Sequence, residues 1–176
     1  MSYLGAIKET ILGIPFVSRI RRNHGLEHAV LHLLAQRYPQ RSMAGHSDAN
    51  GFWLIGDVPT EVVHSVVVEA RERLRAGEHR LAVHPNCGTN FVTAGVLAGL
   101  AAFIALFGAE RRLRDRLERL PLATTLATLA LIAAQPLGLS IQRHITTSGE
   151  VGELIVVDIV PNRRGNITSH RITTRG

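Results

Sequence analysis

The strongest chemical signal in this chain lies at residues 24–28, where two histidines flank a glutamate. The sequence reads HGLEH, and on a helix positions i, i+3 and i+4 share one face. Two imidazoles at this spacing can bind one metal ion, and the H-x-x-E-H order is that of inverted zincins, in which the glutamate is the general base. We predict His24 and His28 as metal ligands and Glu27 as the catalytic base. The alternative is a polar helix face with ordinary i, i+4 contacts.

Two apolar segments interrupt an otherwise ordinary polar chain. Residues 91–109 and 120–142 contain no Asp, Glu, Lys or Arg. As helices they would measure about 28 Å and about 34 Å, enough to cross a bilayer core of about 30 Å. The short, arginine-rich link between them predicts a transmembrane hairpin, and two buried helices of a soluble core are the alternative.

A hairpin brings its two ends to the same side of the membrane, which indicates where a third metal ligand would come from. Cys87 and His84 lie in HPNCGT just before the first apolar segment, and His144 lies just after the second. A helix N-terminus favours a thiolate at Cys87. We predict Cys87 as the third ligand, with His84 or His144 in reserve. The alternatives are an inert buried thiol, a packing residue at His84 and an interfacial residue at His144.

The polar remainder predicts a small α+β domain. The patterns indicate helices over 18–38, capped by Ser18 or Asn23, and over 59–76. Strands are predicted over 51–56, 79–83, 154–160 and 166–173, with a loop over 41–50. We expect a small sheet with one or two covering helices, interrupted by the hairpin. The expected parts are an N-terminal α/β part with the metal-motif helix (1–90), the hairpin (91–142) and a C-terminal β-hairpin that completes the sheet (143–176).

Composition excludes several classes of protein. A hydrophobic content of 45% excludes a disordered chain, and a single cysteine excludes a disulfide framework. The net charge of +6 comes without a nucleic-acid-binding motif and with only 5% aromatic residues, so we expect membrane lipid as a partner and no nucleic acid. Residues 9–20 are too short to span a membrane and do not resemble a signal peptide. We therefore expect a multi-pass protein of the inner membrane with its polar domain in the cytoplasm.

Two motifs together resemble a known family. HGLEHA at 24–29 and HPNCGTNF at 84–91 are similar to the YqhQ-like group of uncharacterised bacterial membrane proteins, described as candidate metal-dependent enzymes, and to its smaller relatives. Their pattern is HGxEH followed by HPxCGT directly before a transmembrane helix. The resemblance implies a metal site at the membrane surface. This chain differs in its short length, in the inserted segment GFWLIGDVPTE and in Ala29, where many relatives have Lys.

These observations lead to one favoured function and several alternatives. We predict a membrane-embedded zinc hydrolase, and a peptidase is one such enzyme. Its site at the membrane face would suit a membrane-protein or lipid-linked substrate. Two histidines and a thiolate favour zinc, although another divalent transition metal also fits. The alternatives are a non-enzymatic assembly or scaffold protein with a structural metal site, thiol chemistry with Cys87 as nucleophile and His84 or His144 as base, and a heme-binding protein.

Overall fold

The computed structural model describes residues 3–107, 113–165 and 167–176. Within them the protein is α+β, with six α-helices and a four-stranded antiparallel sheet. The chain divides into two compact units, one formed by residues 1–84 with 143–176 and the other by residues 85–142. The helices are α1 (Tyr3–Leu12), α2 (Pro15–Arg37), α3 (Thr60–Arg75), α4 (Gly88–Leu106), α5 (Leu113–Glu118) and α6 (Leu120–Ile141). The strands are β1 (Ala44–Asp48), β2 (Gly51–Ile55), β3 (Ile155–Arg164) and β4 (Ile167–Arg175).

Helix α2 is the central element of the first unit. It begins three residues earlier than predicted, at Pro15, a residue favoured at the first helical position. It ends at Arg37, close to Pro39, which cannot continue a helix. The predicted cap at Ser18 or Asn23 is wrong, because both residues lie inside the helix and its N-cap residue is Ile14. Asn23 is fully buried inside the helix, where its amide donates to Asp48 O and its Oδ1 accepts from the Thr174 hydroxyl. These bonds fix α2 against β1 and β4.

The sheet has the order β1-β2-β4-β3, with every neighbouring pair antiparallel. Its apolar face, centred on the opposed pair Phe52 and Ile172, packs with α2 and α3 in one core. The β2, β3 and β4 strands confirm the predicted strands at 51–56, 154–160 and 166–173. Helix α3 confirms the predicted helix over 59–76. The covering helices and small antiparallel sheet therefore agree with the predicted α+β class.

Two local predictions are wrong. The predicted loop over 41–50 contains β1, a short edge strand that was missed because AGHSD has no apolar alternation. The predicted strand over 79–83 is a 3₁₀ turn, His79–Ala82. In this turn the carbonyl groups of Ala82 and Val83 accept hydrogen bonds from side chains of α2, rather than from a neighbouring strand.

The second unit is a helical hairpin. Gln142, which follows α6, donates to Asn90 near the start of α4, and Arg119, just before α6, donates to Phe107 O at the end of α4. The two helices are therefore antiparallel. Helix α6 continues through Pro136, which lies inside it. The arginine-rich link between the two apolar helices lies partly outside the described residues, and its described part contains α5.

Two helices of the described chain are long and apolar enough to cross a membrane, Gly88–Leu106 and Leu120–Thr146. Only Ala105 of α4 is buried, and in α6 only small residues are. Most of the large apolar side chains of both helices lie exposed: Phe91, Val92, Val96, Leu100, Phe103, Ile104, Leu120, Leu122, Leu129, Leu131, Ile132, Leu137 and Leu139.

Candidate metal centre

The predicted motif lies on one buried face of α2. The rings of His24 and His28 approach edge to face, with their centroids 4.4 Å apart. His28 is 2% exposed and Glu27 is 4% exposed. The helical spacing thus brings the three predicted side chains to one place in the interior of the first unit.

Backbone carbonyls fix the ring nitrogens of both histidines. His24 Nδ1 lies 3.0 Å from Thr146 O, and His28 Nδ1 lies 2.8 Å from Ala82 O. Because a carbonyl oxygen only accepts, each Nδ1 carries the proton in the neutral ring, and the lone pair is on Nε2. Metal-binding histidines typically donate their other ring N–H to a carbonyl in this way. The two rings are therefore oriented as Nε2 ligands.

The segment that supplies the first of these carbonyls is held close along α2. The Arg21 guanidinium donates to Ile145 O and Thr147 O, and Ser148 N donates to Arg21 O at 2.9 Å. Gly25 makes this approach possible, because a Cβ there would lie 2.9 Å from Ser148 C and closer still to Ser148 O. The glycine of HGLEH is thus a packing requirement.

Two further histidines extend the cluster. The His84 ring centroid lies 5.6 Å from that of His28 and 4.7 Å from that of His32. His32 Nε2 donates to Val83 O at 2.9 Å. Burial, with His32 and His28 nearby, lowers the pKa of His84 to about 4. The His84 ring is therefore neutral at pH 7 and chemically able to bind a metal.

Glu27 lies under β1. The Ser47 hydroxyl donates to Glu27 Oε2. Gly45 leaves room for the carboxyl group, because a Cβ there would lie 2.5 Å from Glu27 Cδ. Burial raises the pKa of Glu27 above its usual range, and the Ser47 hydrogen bond and the nearby His24 and His46 oppose that rise. Glu27 is thus a confined carboxyl group with a fixed hydrogen-bond donor.

Cys87 is buried and is the N-cap residue of α4, where its Sγ accepts from Thr89 N at 3.4 Å. It follows His84 by only three residues, so its Cα lies within about 11 Å of the His84 Cα along the chain. His144 is exposed and lines a surface groove together with Lys8 and Glu9. Among the predicted ligands, the described contacts of the first unit bring together His24, His28 and His84.

Sequence reasoning missed the contribution of β1 to the site. Gly45 and Ser47 lie in a segment predicted as a loop, and nothing local marks them as neighbours of Glu27. His32 is visible in the sequence one turn beyond His28 on the same helix face, but it is not among the predicted ligands.

Residues 19–159 match a family described as a domain of unknown function, DUF6391, and the chain belongs to that family. The matched region contains every residue of the histidine cluster. An uncharacterised protein of Picosynechococcus sp. is 41% identical over 140 residues, which cover 73% of this chain and 66% of that relative. The chain thus spans just under two thirds of the relative's length. No solved structure matches the chain.

Proposed function

We propose that this protein is a membrane-embedded, metal-dependent hydrolase, of which a peptidase is one form, with Glu27 as its general base. One observation carries the proposal. His24 and His28, which flank the buried Glu27 in the sequence, each have their Nδ1 atom held by a backbone carbonyl. A merely solvated polar helix face would not bury this set. The same two motifs support a relationship to the YqhQ-like group.

The donor set fits a transition metal. The ligands that we propose from the sequence motifs are His24, His28 and Cys87. Two imidazoles and one thiolate match zinc, and three protein ligands leave a fourth tetrahedral position open, as catalytic zinc sites do. Anchoring of both imidazoles on carbonyls agrees with the usual surroundings of such ligands.

Glu27, Ser47 and Gly45 would have separate roles in the proposed hydrolysis. A bound divalent cation would supply Lewis acidity and lower the pKa of a coordinated water. Glu27 would be the residue that takes a proton, because it is buried, lies between the two proposed histidine ligands in the sequence, and a positioned carboxylate can act as a general base. Ser47 holds Glu27 Oε2 in place, and Gly45 provides the space for the carboxyl group.

We further propose that α4 and α6 span the inner membrane, with the polar unit in the cytoplasm. Support comes from their length and from the apolar side chains exposed on both helices. Contiguous exposed apolar surface of this extent is unfavourable in water and favourable in lipid. Because Cys87 directly precedes α4, a site that includes it would lie at the membrane surface, where a membrane-protein or lipid-linked substrate would reach it.

One observation favours a second function. The His84 ring lies beside that of His28, so it could supply a fourth protein ligand. Four protein ligands define a closed structural site. The protein would then be an assembly or scaffold protein whose metal only stabilises the fold.

Metal analysis of the full chain purified in mild detergent tests both proposals. We expect about one zinc per chain in the wild type, loss of the zinc in His28→Ala and Cys87→Ser, and full retention in the control His64→Ala, since His64 is exposed on α3. Retention of zinc in His84→Ala, together with loss of hydrolysis of membrane peptides in Glu27→Gln, would favour the hydrolase. Loss of zinc in His84→Ala with no dependence on Glu27 would favour the structural site.

A further inference from the structure

The helical hairpin contains a groove that the proposed metal centre does not use. It lies between α4 and α6 and has a volume of about 420 Å³. Most of its wall is apolar, but it also contains three side-chain amides, those of Asn86, Asn90 and Gln135. None of its lining residues is charged.

Gln135 is the unusual residue of this groove. It lies in the last third of α6, within an apolar segment that has no charged side chain. In the described part of the chain its side-chain amide has no hydrogen-bond partner. An unsatisfied amide is costly in a hydrocarbon environment, so polar residues inside spans usually mark a functional site.

A fixed polar bridge closes one end of the groove. Asn90 Oδ1 accepts from Gln142 Nε2 at 2.6 Å, and Asn90 Nδ2 donates to Pro85 O at 2.6 Å. Gly138 makes room for this bridge, since a Cβ there would lie 2.6 Å from Asn90 Oδ1. Asn90 is therefore a positioning residue, and Gln135 is the group left to bind a ligand.

The chemistry of the lining selects one class of occupant. A primary amide offers both a donor and an acceptor, which matches the N–H and C=O groups of a peptide backbone. A lipid acyl chain has neither group, and a phosphate headgroup would call for cationic residues, which the lining lacks. A regular helix satisfies its own backbone, so only a locally unwound segment has groups left to pair.

We propose that the groove binds a membrane-embedded peptide segment whose helix is interrupted, with Gln135 pairing with its open backbone. Asn86 lines the groove and directly precedes Cys87, so a peptide bound there is led along the chain toward the proposed metal ligand. The identification of this peptide as a substrate rests on the proposed hydrolase function, whereas its binding in the groove does not.

The test measures peptide binding without catalysis. The full chain with Glu27→Gln, which removes the proposed general base, is placed in lipid nanodiscs and titrated with a fluorescent apolar peptide of about 20 residues that contains a central Gly-Pro pair. We expect saturable binding, weakened about 2- to 12-fold by Gln135→Leu, the range of one lost hydrogen bond. Ala94→Trp should abolish binding because it fills the groove. The control Ile132→Trp should not change binding, since Ile132 lies exposed on α6 and does not line the groove.

Three results would overturn the inference. They are equal binding by the Gln135→Leu variant, equal binding by the Ala94→Trp variant, and equal binding of an uninterrupted Leu-Ala helix. The last result would show that open backbone groups are not recognised, and that general apolar contact explains the affinity. Failure of the hydrolase proposal is distinguishable, because it would appear as wild-type protein without stoichiometric zinc whether or not the groove binds peptide.

Discussion

Alanine at Gly25 tests whether close packing at the motif glycine holds the site together. In an ordinary helix interior, Gly→Ala stabilises by about 0.5–1 kcal/mol, because alanine has the better helix propensity. Here the new Cβ would meet the Ser148 backbone, with Ser148 C at 2.9 Å and Ala82 Cβ at 3.2 Å. Overpacking costs about 1–3 kcal/mol, and a clash with backbone belongs in the upper part of that range. The net expectation is a loss of about 1–2 kcal/mol.

The assay is thermal unfolding in detergent, followed by fluorescence of Trp53, the one tryptophan of the chain, which lies on β2. At about 4 °C per kcal/mol, Gly25→Ala should unfold about 4–8 °C below the wild type. Zinc affinity should also fall, because moving the segment that ends at Ser148 disturbs the Thr146 carbonyl that holds His24. The matched control is Gly99→Ala in α4, where nothing lies within 4 Å of the added Cβ. Unfolding of Gly25→Ala at or above the wild-type temperature would refute the reasoning.

Three further predictions concern the surroundings of the site. Asn23→Leu should lower the free energy of unfolding by about 2–4 kcal/mol, measured in urea, because a buried and a partly buried hydrogen bond to the sheet are lost and the Thr174 hydroxyl stays buried; a loss below about 1 kcal/mol would contradict this. Burial lowers the pKa of His170, so the unfolded chain binds its proton first and stability should fall as the pH drops below about 6.5. Unfolding curves at several pH values should show that the stability of His170→Leu depends less on pH than that of the wild type. An unchanged pH dependence would contradict the role of His170. Gly45→Ala should keep its zinc but lose hydrolysis, because the Cβ displaces the Glu27 carboxyl group; full activity would show that this position is not critical.

Local sequence patterns predicted the histidine pair and the helical hairpin. They could not predict contacts between segments that are distant in the chain. The i, i+4 spacing of His24 and His28 is a property of one helix, and two long uncharged stretches are a property of composition. By contrast, the carbonyls of Ala82 and Thr146 reach these rings from segments 54 and 122 residues away. No local sequence pattern predicts which carbonyl pairs with which histidine ring.

The errors have the same physical origin. Residues 79–83 look like a short strand because they end in the apolar run Leu81 to Val83 and follow Gly77, but a strand needs a neighbouring edge. Here the carbonyls of Ala82 and Val83 are taken by His28 and His32. The segment around Ser47 has no apolar alternation, yet it pairs as β1, because β2 provides an edge and Glu27 provides a buried partner. In both cases tertiary contacts override local preference.

X-ray absorption spectroscopy at the zinc edge of the zinc-loaded full chain in nanodiscs tests the central claim most directly. We expect two nitrogen ligands at about 2.0 Å, one sulfur at about 2.3 Å and a light atom in the fourth position, with the sulfur lost in Cys87→Ser. A spectrum without sulfur, or with three imidazole nitrogens beside the sulfur and no open position, would contradict the proposed catalytic centre.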